Sequence, residues 1–187
     1  MNLLVLGPQG SGKGTQAKRI SDALGIPHVS TGDMFRAAIA AGTPLGMEVA
    51  PILSSGELVP DELTIALIHD RLGEEDARSG FVLDGFPRNV QQAEALDEML
   101  AGIGRGIDHV LFFDVSDDLA AERMRGRVEA EGRTDDTPEV IARRLAIYHA
   151  QTEPVVERYR AAGVLVPLRA ERPIDEVFAE IIEALRT

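Results

Sequence analysis

Apolar residues are gathered into five short runs along the chain, at 3–6, 28–30, 81–84, 110–115 and 164–168, and longer stretches of helical character separate them. The runs show little polar alternation, which suits strands covered on both faces, and their regular interruption by helices is a βαβ rhythm. This predicts an α/β fold, a three-layer sandwich around a five-stranded parallel sheet, with any ligand held at the C-terminal ends of the strands. Thr137, Pro138 and Glu139 combine an N-cap, a proline at the first helical position and an acid in the first turn, so a helix is predicted to start there and run to about Ala162. The strand rhythm lapses twice: between Ser30 and Pro60 into Ala-rich helical sequence, and between Gly126 and Asp136 into a short polar loop. Both lapses are candidate mobile inserts. There is no internal repeat and no linker-like tract, so 187 residues make one domain.

Charge narrows the function. Nineteen Lys and Arg face 31 Asp and Glu, a net of -12, which repels nucleic-acid polymers and requires that any bound phosphate be met by local positive charge. The absence of Cys excludes disulfides, Cys-ligated zinc and thiol catalysis. The first apolar run is too short for a signal-peptide core of about 7 to 15 residues, and no stretch approaches the ~18 apolar residues of a membrane span. A cytoplasmic protein without membrane or nucleic-acid partners is expected.

Directly after the first run comes Gly7-Pro8-Gln9-Gly10-Ser11-Gly12-Lys13-Gly14-Thr15, and helical sequence follows it. Strand, glycine loop and helix in that order make a phosphate cradle. Glycines let backbone N–H groups crowd around phosphate oxygens, the helix N-terminus adds partial positive charge, and Lys13 adds a full one. Gly10, Ser11, Gly12, Lys13, Gly14 and Thr15 are therefore candidate phosphate ligands. The strict phosphate-loop pattern has Ser or Thr immediately after the Lys, where this chain has Gly14, with Thr15 one place later. Protein ligation of Mg²⁺ is accordingly expected through water, near Asp84, which ends the third apolar run opposite the loop.

Three ordered segments make the sequence resemble the nucleoside monophosphate kinases, and more narrowly the adenylate kinases. They are the loop from Gly7 to Thr15, Ser30-Thr31-Gly32-Asp33-Met34-Phe35-Arg36, and Asp84-Gly85-Phe86-Pro87-Arg88. Glu131-Gly132-Arg133-Thr134-Asp135-Asp136 and Arg143-Arg144-Leu145 resemble the family's lid and the helix behind it. The resemblance spans the whole chain. It implies a phosphate-loop kinase fold whose core, 1–29, 60–125 and 137–187, carries a helical monophosphate-binding insert at 30–59 and a short lid at 126–136. It implies that Thr31, Arg36, Glu57, Leu58, Val59, Gly85, Arg88 and Gln92 line the AMP site, with Arg133 and Arg144 reaching the transferring phosphates. Lys13, Arg123 and Arg127 would serve ATP, and the Arg172 backbone would touch its base. The catalytic set is then Lys13, Asp84, Arg88, Arg123, Arg133 and Arg144, the cofactor is Mg²⁺ with ATP, and the short lid without Cys implies no zinc. A monomer is implied, as are a cis Phe86–Pro87 bond and closure of both inserts only when both substrates are bound.

The residues support this independently. From Arg123 to Arg144 six Arg, at 123, 125, 127, 133, 143 and 144, face five acids, at 129, 131, 135, 136 and 139, a local net of +1 in a chain of -12. Arg123 and Arg127 share a helix face, and the planar guanidinium suits phosphate. Arg125 and Arg143 read as solvated surface charge. The four His, at 28, 69, 109 and 149, have no metal-ligand spacing and read as structural. A phosphate acceptor, already an oxyanion at pH 7, needs no base. A hydroxyl acceptor would normally need one, a role for which Asp33 is available. A UMP/CMP kinase on the same fold is the alternative enzyme, with Thr31 and Gln92 deciding for adenine. A nucleotide-binding switch is disfavoured, because the guanine-reading Asn-Lys-x-Asp motif is impossible with no Lys after position 18.

Overall fold

The computed structural model describes residues 1–131 and 136–186. Its centre is a parallel sheet of β1 (Asn2–Leu6), β2 (His28–Ser30), β3 (Phe81–Asp84), β4 (His109–Asp114) and β5 (Leu165–Arg169), in the order β2-β3-β1-β4-β5. Each expected strand is present within a residue of its predicted ends. Pairing sets β1 between β3 and β4, with Leu4 opposite both Leu83 and Val110.

The period of two along a strand sends successive side chains to opposite faces, and both faces are apolar. Leu4, Leu6, Leu83 and Val110 join one cluster with Ile68, Leu96 and Val155. These come from α4 (Asp61–Leu72), α5 (Val90–Ala101) and α8 (Glu153–Ala161). Leu3, Val5, Val82 and Leu111 join another with Ala17 and Ile20 of α1 (Lys13–Leu24) and Val177 and Ile181 of α9 (Ile174–Ala184). Every strand residue named here is essentially solvent-free. Hydrophobic burial on two faces is thus what sets the three layers and holds the strand ends in register below the site.

The stretch expected to be a helical insert forms α2 (Thr31–Ala40) and α3 (Pro44–Ser55), with a small core of its own around Phe35, Val49 and Val59. The two helices cross closely because Gly46 faces the Ala38 carbonyl. A Cβ there would lie 2.1 Å from that oxygen. Gly46→Ala is therefore expected to destabilise the protein by about 1 to 3 kcal/mol, overpacking outweighing the ~1 kcal/mol gain in helix propensity. Urea unfolding tests this, and an unchanged midpoint would mean that α2 and α3 separate freely.

Two expectations are corrected. The polar segment predicted to leave helix at Gly126 is helical to its sixth residue, because α6 runs over Asp117–Glu131. A single Gly costs a helix only ~1 kcal/mol, and the residues that follow are compatible with helix. The helix starting at Pro138, capped as predicted by Thr137, is divided into α7 (Pro138–Ile147), a π-helical turn (Tyr148–Thr152) and α8. The division falls where Pro154 lacks the N–H that an unbroken α-helical ladder needs, and the wider turn takes up the missing bond. Among the described residues no single helix is long and apolar enough to cross a membrane.

Candidate active site

At the C-terminal edge of the sheet lies a cavity of about 710 Å³, bordered by the loop after β1, the end of β3, and residues of α1, α2, α6 and the β5–α9 connection. Eight cations line it, Lys13, Lys18, Arg19, Arg36, Arg88, Arg123, Arg127 and Arg172, against two acids, Asp33 and Asp84. In a chain of net charge -12 this inverts the local sign and defines an anion site.

The loop is shaped by its glycines. Gly10 and Gly12 have φ of 84° and 90°, in the left-handed region where only glycine is unstrained. A Cβ on Gly10 would also lie 2.3 Å from the Ala120 carbonyl oxygen, so the loop is seated directly on α6. Lys13 opens α1 and its Nζ donates to the Pro8 carbonyl at 3.1 Å, across the mouth of the loop. Gly14, at the departure from the strict pattern, has its own explanation: a Cβ there would lie 3.3 Å from Asp84 Oδ2, so a small residue lets the carboxylate approach the helix start. Thr15 is exposed beside it.

Asp84 is buried at the end of β3, with its Oδ2 3.5 Å from His28 Nε2. Burial pushes its pKa up, but His28, Lys13 and Arg88 together outweigh this and hold the carboxyl below its ordinary value. It is ionised at neutral pH. The pairing of β2 with β3 sets Ser30 opposite Asp84 and His28 two places back on the same face, so His28 lines the cavity. Reading His28 as a purely structural residue missed this, because adjacency across strands has no signal along the chain.

Arg88 follows the cis Phe86–Pro87 bond and donates from Nε to the Gly85 carbonyl at 2.8 Å. Its own carbonyl accepts from Thr152 Oγ1 of the π-helical turn at 2.7 Å. Arg123 reaches back from α6, donating to the Ala170 carbonyl at 3.1 Å and the Ser11 carbonyl at 3.4 Å. Arg127 lies 3.0 Å from Asp136, and Arg144 holds the other oxygen of the same buried carboxylate. Asp136, anticipated only as the end of the lid, is thus the acid that orients two of the expected phosphate ligands. Arg172 lines the cavity and its side chain turns to Glu180. Arg133 lies outside the described residues.

The expected AMP residues also meet. Thr31, Glu57, Leu58, Val59, Gly85, Arg88 and Gln92 line one small hollow between α2, α3 and the end of β3. Arg36 borders the main cavity instead, paired with Asp33 at 2.5 Å. Burial raises the Asp33 pKa, yet Arg36 and Ser30 outweigh it and lower it overall. Arg143, expected to be solvated, is exposed but bridges elements, meeting Glu57 at 3.3 Å and the Ser55 carbonyl at 3.4 Å. With Arg144 donating to the Leu53 carbonyl at 3.3 Å, the end of α3 rests on α7.

A phosphate loop, a basic cavity at the strand ends and a second, smaller hollow beside it define a nucleoside monophosphate kinase. The chain belongs to the adenylate kinase family, whose model matches residues 5–164. It is 48% identical over 185 residues to an adenylate kinase of Xanthomonas euvesicatoria pv. vesicatoria, covering 99% of each chain. It is 47% identical over 186 residues to one of Stenotrophomonas maltophilia, covering all of both. Its reaction is the reversible transfer of a phosphoryl group from ATP to AMP, giving two ADP.

Proposed function

We propose that the basic cavity takes ATP and the smaller hollow takes the AMP base, so that the two phosphate chains meet between Lys13 and Arg88. The observation that carries this is the eight-cation lining of the larger cavity, in an acidic chain, with Arg88 bordering both spaces. The loop amides and Lys13 would bind the ATP phosphates, with Arg123 and Arg127 beside them, and Arg88 and Arg144 would hold the transferring group from the AMP side, joined by Arg133. The AMP phosphate is already an oxyanion at neutral pH and needs no base. The task left to the protein is alignment and neutralisation of charge.

The residues fit a magnesium ion held with the nucleotide. Asp84 is ionised and aimed at the cavity, while Gly14 offers no side-chain oxygen where the strict pattern has one. One carboxylate plus phosphates and water suits Mg²⁺. When bound, the ion would supply charge neutralisation on the phosphates, and Asp84 would hold its water. Among the described residues no group of three His, Asp or Glu gathers for another metal.

Closure is part of the reading. The hollow beside Gln92 is small, about 30 Å³, and outward movement of 30–59 would widen it for a base. Return of the insert, together with the lid at 126–136, would exclude water from the activated phosphate. The proposal extends to a monomer in the cytoplasm, acting on nucleotides and on no nucleic-acid polymer, consistent with the net charge. A coupled assay of ATP with AMP, CMP, UMP and GMP in turn is expected to show strong preference for AMP. Comparable turnover with CMP would favour the pyrimidine kinase.

A further inference from the structure

The side chain of Gln92 is 1% exposed and has two protein partners. Its Oε1 accepts from the Arg88 backbone N–H at 2.8 Å, and its Nε2 donates to Asp61 Oδ1 at 2.7 Å. Asp61 begins α4, on a different element from Gln92, and is itself fixed by Asn89, whose Nδ2 donates to both carboxylate oxygens at 2.9 and 3.1 Å. Asn89 in turn caps α5, its Oδ1 accepting from the Gln92 N–H at 2.8 Å.

A glutamine amide has nearly the same shape after a half-turn, and only its hydrogen-bond partners decide which end is oxygen. Here the two anchors agree. A carboxylate accepts only, so it demands the NH₂ end, and a backbone N–H donates only, so it demands the oxygen. A turned amide would set oxygen against carboxylate and NH₂ against N–H. One N–H and one lone pair are left over, and Gln92 borders the smaller hollow.

We propose that Asp61 is a positioning residue for base selection: by locking the Gln92 amide in one orientation, it fixes whether the site matches an amino-bearing or a keto-bearing base. This rests on the assignment of Gln92 to the AMP base. The locked amide presents a donor beside an acceptor in one fixed order. Adenine and cytosine offer a ring-nitrogen acceptor beside an amino donor. Guanine and uracil offer the reverse, a ring N–H beside a carbonyl oxygen. The half-turned amide would suit guanine and uracil, and the Asp61 carboxylate and the Arg88 N–H together disfavour it. Rejection of GMP and UMP thus depends in part on Asp61, whereas rejection of CMP, whose edge has the same order as adenine, depends on ring size.

Asp61→Asn keeps the shape but replaces two charged acceptor oxygens with one neutral oxygen that Asn89 and Gln92 must share, so this anchor holds the amide less firmly. The kcat/KM ratios of AMP over GMP and AMP over UMP are expected to fall about tenfold, the scale of one lost buried hydrogen-bond preference, while AMP over CMP and the KM for ATP hold within twofold. In the background of Gln92→Leu the same substitution is expected to change none of the ratios, since it acts only through that amide. An equal fall for all four monophosphates, or an equal fall in all three ratios, would make Asp61 a structural residue and overturn the proposal. If Gln92→Leu shifts the ratios and Asp61→Asn does not, the proposal fails and the site assignment stands. If Gln92→Leu leaves every ratio unchanged, both fall.

Discussion

Replacement of Lys13 by Met is expected to leave the fold intact and to slow phosphoryl transfer by roughly 10² to 10⁴-fold, about 3 to 5 kcal/mol of transition-state stabilisation. The fold is safe because Lys13 opens α1 at the rim of the cavity and is half-buried, its Nζ donating to the loop carbonyl of Pro8 rather than packing into the core. Methionine keeps the length of the side chain and removes the charge. That charge faces the place where negative charge grows as the bond between the outer phosphates breaks, so the loss should fall on the chemical step more than on ATP binding. Thr15→Ala is the comparison, expected to lose far less because backbone amides form most of the cradle. Single-turnover rates with saturating ATP and AMP decide the matter, and a Lys13→Met rate within threefold of the parent would remove Lys13 from catalysis.

How far the chain could be read from its sequence depends on whether a feature is local. The strands were legible because each is an apolar run covered on both faces, and the phosphate loop because its glycines, Lys13 and the flanking elements are contiguous. The Thr137-Pro138 helix start was legible for the same reason. The features that were missed are made by packing. Asp61 lies 31 residues from Gln92, and only the docking of α4 on α5 brings them to 2.7 Å. His28 reaches Asp84 through the register of β2 on β3. Asp136 read as the last residue of a polar loop, yet its side chain is fully buried between Arg127 and Arg144. The end of α6 was misjudged for a different reason, since one Gly in a polar run weakens a helix without ending it.

Arg88→Met is expected to abolish most activity while leaving the protein as stable as the parent, or more so. Arg88 sits among like charges: Arg144 and Arg36 both disfavour its protonated form, burial does so more strongly, and only Asp84 favours it. A guanidinium does not lose its proton for this, so the folded state carries the cost of a crowded, half-buried cation. The cost is reasonable only if an anion arrives to meet the charge, as the AMP phosphate would. Methionine fills much of the same volume without charge, and removing a half-buried charge from among like charges costs the fold little. What it sacrifices is the Nε bond to the Gly85 carbonyl, worth about 1 kcal/mol and partly offset by water reaching that oxygen from the cavity. The Arg88 backbone N–H is retained, so Gln92 keeps its anchor and base preference should survive in the residual activity. The expected result is a fall of about 10³-fold in kcat/KM for AMP, roughly 4 kcal/mol, with the KM for ATP little changed and the thermal midpoint unchanged or raised. A lowered midpoint with activity intact would show that Arg88 braces the fold and that another cation meets the acceptor phosphate.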